Sequence, residues 1–180
     1  MTIWPHVRAI LLLPVMATIV VSAVVLRLGG VDTFDIWSRA PWTRVALPVA
    51  GGVLIVAGLW LFVLTLWTFV TIGRGTLAPW NPTQRLVVTG VYRYVRNPMI
   101  TGVSLILVGE TLMAASLPLA GWCAFFVLVN AIYIPLVEEP GLVRRFGAEY
   151  EEYRRHVPRW LPRWSPWTSP RANAFSKMGK

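Results

Sequence analysis

Two short stretches of the chain concentrate side chains equipped for chemistry. The first, "GVYRYVRNPM" at 90–99, sets Tyr92, Arg93, Arg96 and Asn97 directly before an apolar run. Pro98 suits the first turn of a helix, where its missing N–H is not needed. Asn97 then stands at the N-cap, and the unpaired N–H groups and positive dipole end of that helix can receive an anionic group. The same residue types also compose the aromatic and arginine belts of membrane surfaces, so spacing leaves both readings open. The second stretch, "VEEPGL" at 137–142, places Glu138 and Glu139 side by side at the end of another apolar run. In basic surroundings two carboxylates want partners: Arg93 or Arg96, a cationic or hydroxylated ligand, or only solvent ahead of a turn at Pro140.

The elements that must position these residues are membrane helices. Of 180 residues, 56% are hydrophobic and 14% charged, outside the habit of soluble domains. Apolar runs at 9–28, 45–72, 100–117 and 119–137 each approach or exceed the roughly 20 residues a helix needs to cross a bilayer. The last two are parted only around Pro118, which predicts a tight antiparallel hairpin. The expected fold is all-α: a polytopic membrane protein of about four transmembrane helices, with an amphipathic C-terminal helix on the cytoplasmic side. Four spans put 14 of the 17 Lys and Arg residues on the face that bears both motifs, which makes that face cytoplasmic, together with the N-terminus and the tail. A cleaved signal peptide over the first 25 or so residues is the rival reading of the N-terminus.

The formal charge of +9 is mostly this cytoplasmic excess, suited to anionic head groups rather than to nucleic acid. Cys123, the sole cysteine, lies within the fourth run, so no disulfide or thiolate metal site is expected, and His6 and His156 propose no metal site either. Residues 73–90 are rich in Gly, Pro and Thr and read as an ordered loop with "RLVV" extended. Gly73 and Gly75 alone do not make a dinucleotide fold. Leu142, Phe146, Tyr150, Tyr153 and Val157 recur at spacings of 4, 4, 3 and 4, one apolar stripe on a helix lying on the membrane or over a cavity. Within the third run Glu110 is conspicuous; a hydrogen bond to Asn130 or Thr111 is its bland role, an intramembrane function the other.

Taken together, "LVVTGVYRYVRNPM", a two-span hairpin, and "EEPGLVRRFGAEYEEYRRHVPRWLP" resemble the isoprenylcysteine carboxyl methyltransferase family and its phospholipid methyltransferase relatives, over about residues 73–162. The resemblance implies a membrane-embedded methyltransferase that uses S-adenosylmethionine in a cytoplasmic pocket between the hairpin and the tail helix. It marks Gln84, Arg85, Leu86, Val87, Tyr92, Asn97, Pro98, Met99, Ile100 and Glu138 as cofactor positions. A helix entrance offers donors to the methionine carboxylate, a glutamate suits the ammonium or ribose hydroxyls, and Tyr92, Tyr150 and Tyr153 suit the sulfonium. Glu139 is the candidate base where the acceptor must lose a proton.

Two departures matter. The family's R-H-P-x-Y here reads "RNPMI", with Asn97 in place of histidine and Ile100 in place of tyrosine. The family's arginine one turn before the paired glutamates is Ile134, which speaks against an isoprenylcysteine carboxylate and leaves a lipid amine, a thiol or another small lipophilic acceptor drawn from the bilayer. An NADPH-dependent membrane reductase of the steroid or enoyl type and a non-catalytic scaffold are the alternatives. The expected organisation is two N-terminal spans (1–72), a methyltransferase core (73–170) and a mobile tail (171–180).

Overall fold

The computed structural model describes residues 14–29, 42–72 and 86–168. Gln84, Arg85, the loop before them, the start of the first apolar run and the tail at 171–180 lie outside the described residues. Helix α1 is Met16–Gly29, π-wound over Met16–Val21 and α-helical from Ser22. Helix α2, Thr43–Ile72, has 30 residues. At 1.5 Å per residue it is about 45 Å long, more than a bilayer's hydrocarbon thickness. Helix α3 is Pro98–Ala114, α4 is Leu117–Tyr133, α5 is Glu139–Phe146 and α6 is Ala148–His156. The described residues are helical or irregular, with no strand. Thr43–Thr68 and Leu117–Phe146 are each long and apolar enough to cross a membrane, with mean hydropathies of 2.4 and 1.9, while Met16–Gly29 and Pro98–Ala114 are shorter apolar helices. The outer face of α2, including Val49, Val53, Val56, Trp60 and Val63, is exposed hydrocarbon among the described residues. Water does not tolerate so long an apolar surface; a bilayer does. This is a membrane protein.

Glycines set the closest helix crossing. A Cβ on Gly58 would lie 2.6 Å from the Gly102 carbonyl oxygen, and one on Gly51 would lie 2.6 Å from that of Gly109. Both pairs are seven residues apart along their helices, so α2 and α3 run antiparallel with backbones in contact at two successive points. The expected hairpin of α3 and α4 is present. Its link is two residues, Ala115 at φ 46° and Ser116, whose hydroxyl caps α4 by accepting from Leu119 N–H at 3.4 Å. Val103 and Leu107 of α3, Ala17 of α1 and Cys123 of α4 form the buried cluster where these helices meet.

The C-terminal part differs from expectation at two points. No turn occurs at Pro140: the chain stays helical from Leu117 to Phe146, passing through a π turn at Ile134–Glu138. Pro135 and Pro140 each occupy the first turn of a newly wound segment, where a proline removes no needed bond. Conversely, the stripe from Leu142 to Val157 is carried by two helices rather than one. Gly147, at φ 52° and ψ −130°, separates α5 from α6 in a conformation that L side chains avoid. The stripe itself holds. Tyr150, Tyr153 and Val157 are buried with Trp167, and Leu142, Phe146, Leu86 and Val88 pack on them, so it faces protein instead of a bilayer.

Candidate functional site

The paired glutamates sit where the π turn ends and α5 begins. Successive helical side chains point about 100° apart, so the two carboxylates face different surroundings. Glu139 turns inward and is 4% exposed, whereas Glu138 turns outward and is exposed. Oε1 of Glu139 accepts from Nη1 of Arg96 at 2.8 Å and from Nε of Arg159 at 2.7 Å. Arg96 also donates to the Tyr150 hydroxyl at 3.3 Å. The sequence proposed Arg93 or Arg96 as the partner; Arg96 fills that role. Arg93 instead donates to the Trp167 carbonyl at 2.8 Å and to Thr168 Oγ1 at 2.7 Å.

Arg159 was not anticipated. It arrives with a strap, residues 157–168, that lies along the segment leading into α3. Arg96 and Asn97 N–H donate to the carbonyls of Pro158 and Arg159 at 2.9 and 3.2 Å, and Arg163 and Trp167 N–H donate to those of Tyr94 and Arg93 at 3.0 and 2.9 Å. Asn97 occupies the N-cap position of α3 but makes no side-chain cap: its Nδ2 points to the Arg159 carbonyl at 3.5 Å, and its own carbonyl accepts from Thr101 Oγ1 at 2.9 Å. The Arg159 carbonyl receives both the backbone N–H and Nδ2 of Asn97, which turns the amide toward the strap and away from the cap. Pro98 starts the helix as expected and is buried.

Tyr92 lies in a 3-10 turn, Gly90–Arg93, whose Gly90 packs against Thr68 of α2 with φ 54°. Its carbonyl accepts from the Tyr153 hydroxyl at 2.7 Å. Desolvation first, then the neighbouring Tyr153 and Glu138, push the Tyr92 phenol well above its ordinary range. Desolvation likewise pushes Tyr153 up. Both therefore stay neutral at physiological pH. The influence of Glu138 on Tyr92 and Tyr150 brings three of the residues singled out from sequence to one locality. Leu86 packs on the apolar cluster of α6, while Val87, Met99 and Ile100 are half-buried. Among the described residues, two buried polar atoms are without a hydrogen-bond partner, Arg96 Nε and Thr89 Oγ1. Buried polar atoms without a partner are uncommon. The first turn of α3 begins at Pro98, and the Glu138 carboxylate bonds to no described residue.

Glu110 belongs to neither cluster. Its Oε2 accepts from Ser22 Oγ of α1 at 2.6 Å, while Asn130 and Thr111 bond to carbonyls of their own helices, so the expected partner is corrected to Ser22.

Compared with known proteins, the model of the phospholipid methyltransferase family matches residues 47–149, more than half of the chain. Neither a characterised protein nor a solved structure gives a significant match. The matched region opens in α2 and closes at the start of α6. It thus takes in both glycine crossings, the hairpin, the Tyr92 turn and the paired glutamates, and begins earlier than the motifs alone had indicated. With motifs, helical architecture and family model in agreement, the chain belongs to the phospholipid methyltransferase family, membrane enzymes that methylate lipid-like substrates.

Proposed function

We propose that this methyltransferase draws its methyl group from S-adenosylmethionine and passes it to a small lipophilic acceptor entering from the bilayer. The cofactor would lie on the side of the paired glutamates, which a four-span arrangement makes cytoplasmic. The observation that carries the reading is the division of labour between Glu138 and Glu139. One carboxylate is committed to two guanidiniums and fixes the local frame; the other is exposed beside Tyr92 and bonded to no described residue. Glu138 is placed to accept from the cofactor's ammonium or ribose hydroxyls, and the Met99 and Ile100 N–H groups after Pro98 in the first turn of α3, with Arg96 Nε, to donate to its carboxylate. Leu86, Val87 and Tyr92 complete the wall. When bound, S-adenosylmethionine supplies an electrophilic methyl on a sulfonium. Transfer in line needs proximity, alignment and exclusion of water, and this chain provides them by packing α6 and the strap over the entrance of α3.

Glu139, the candidate base, has Oε1 held by Arg96 and Arg159. Ile134 is 1% exposed, so the turn before the glutamates presents no cation to an acceptor carboxylate. This favours a lipid amine or a comparable neutral acceptor over an isoprenylcysteine carboxylate. The test is calorimetric titration of S-adenosylmethionine into detergent-purified protein, with Glu138→Ala and NADPH as controls. Saturable binding that the variant loses supports the reading. Absence of binding, or binding of NADPH in its place, overturns it.

A further inference from the structure

A second polar position lies among the apolar helices, four residues before the end of α3. An open groove of about 480 Å³ runs between α1, α2 and α3, with the start of α4 at one end. Its walls are hydrocarbon, chiefly Ile19, Leu26, Ile55, Met113 and Leu119. Ser22 and Glu110 face it together. The third polar group, the Thr18 hydroxyl, is already bonded to the Pro14 carbonyl at 2.8 Å. Oε2 of Glu110 accepts from Ser22, but among the described residues nothing donates to Oε1. Among the described residues no lysine or arginine lines the groove.

We propose that this groove binds a single-chain amphiphile with a primary amine head, the amine on Glu110 and the chain along α1 and α2. The volume falls in the range of small-molecule sites, and apolar walls with one or two polar groups are their usual make-up. A carboxylate half-buried among apolar walls gains from a donor, most of all a cationic one. A phosphate or carboxylate head meets no donor but Ser22 and faces an acidic neighbour, so anionic and phosphodiester lipids are rejected. The groove is not the methyl-transfer site. Glu110 is twelve residues beyond Pro98 on the same helix, about 18 Å along the axis from the entrance of α3. It is a separate site, independent of how the cofactor binds.

Dodecylamine, dodecanol and dodecanoate, titrated calorimetrically into the full chain in nonionic micelles against protein-free micelles, test this. Saturable binding is expected for the amine, weaker binding for the alcohol and none for the acid. Glu110→Gln keeps an acceptor for Ser22 and removes the charge, so amine affinity should fall about tenfold or more while the alcohol changes less. Ala23→Trp, at an exposed lining position of α1, fills the groove and should abolish binding of both. Thermal unfolding of each variant in the same micelles, expected to match the unmodified protein, reports that the fold is intact. Failure of the amine to saturate, equal amine affinity in Glu110→Gln, or equal binding of dodecanoate overturns the proposal.

Discussion

The guanidinium of Arg96 donates to Oε1 of Glu139 at 2.8 Å across 43 residues of sequence, with both side chains less than one-tenth exposed. Such a pair stabilises only while both members remain, because removing one strands a buried charge. Glu139→Ala is therefore expected to cost about 3–5 kcal/mol, and the double change Arg96→Met with Glu139→Leu to recover much of that loss. Reversible unfolding in mixed micelles measures both. A single-variant loss below about 1 kcal/mol would mean that the pair behaves as a screened surface bridge.

The glycine crossings make a contrasting set. Gly58→Ala and Gly109→Ala place a methyl 2.6 Å from a carbonyl oxygen of the facing helix, which only a shift of the backbone relieves. Each is expected to lose about 1–3 kcal/mol. Gly52, one residue from Gly51 but with nothing within 4 Å of its Cβ position, should instead gain up to about 1 kcal/mol as alanine, from helix propensity alone. Thermal unfolding of the three variants side by side decides it, and a loss at Gly52 equal to that at Gly58 would exclude the crossing as the cause.

Glu138 and Glu139 are adjacent yet predicted to fail differently. Glu138→Gln should leave unfolding unchanged, since the side chain is exposed and bonds to no described residue, while weakening S-adenosylmethionine binding by about tenfold or more. Paired calorimetry and unfolding separate the two effects, and a stability loss without an affinity loss would assign Glu138 to the scaffold.

Alkali supplies a further check. Tyr92 and Tyr153 are held above their ordinary value of 10.0 by desolvation, so as pH rises the unfolded chain loses these protons first. The folded state then binds more protons than the unfolded one, and stability falls with pH. Unfolding free energy should be flat with respect to these groups through pH 8 and decline above about pH 10, with a shallower decline in Tyr153→Phe. An unchanged slope in that variant would show that the phenol is hydrated in the folded state.

Much of this was legible in the sequence, for identifiable reasons. Apolar runs, the Pro118 hairpin and the stripe through Tyr150 and Tyr153 follow from periodicity, which every residue in an element reinforces. Gly51, Gly58, Gly102 and Gly109 could have been found by their equal sevenfold spacing. Arg159 could not, because a cation in "HVPRW" has no periodic relation to Glu139 and reaches it only through the path of an irregular strap. The same is true of Asn97: its type announces a cap, and its diversion depends on a carbonyl 62 residues away. Glu110 was visible as a depth anomaly, but Ser22 lies 88 residues from it, on a helix whose rotation the sequence does not specify. The break at Gly147 was hidden because the apolar stripe continues across it.

The strap over α3 also orders the protein's biosynthesis. Helices α2, α3 and α4 emerge from the ribosome and can pack by their glycines and hairpin before residue 157 has been made. The donors of Arg96 and Asn97 wait for carbonyls about sixty residues downstream. The membrane body is thus written first and the entrance of α3 is finished last. A chain stopped just after α6 would insert and carry both glutamates, yet would leave Glu139 without Arg159 and the α3 entrance open to water.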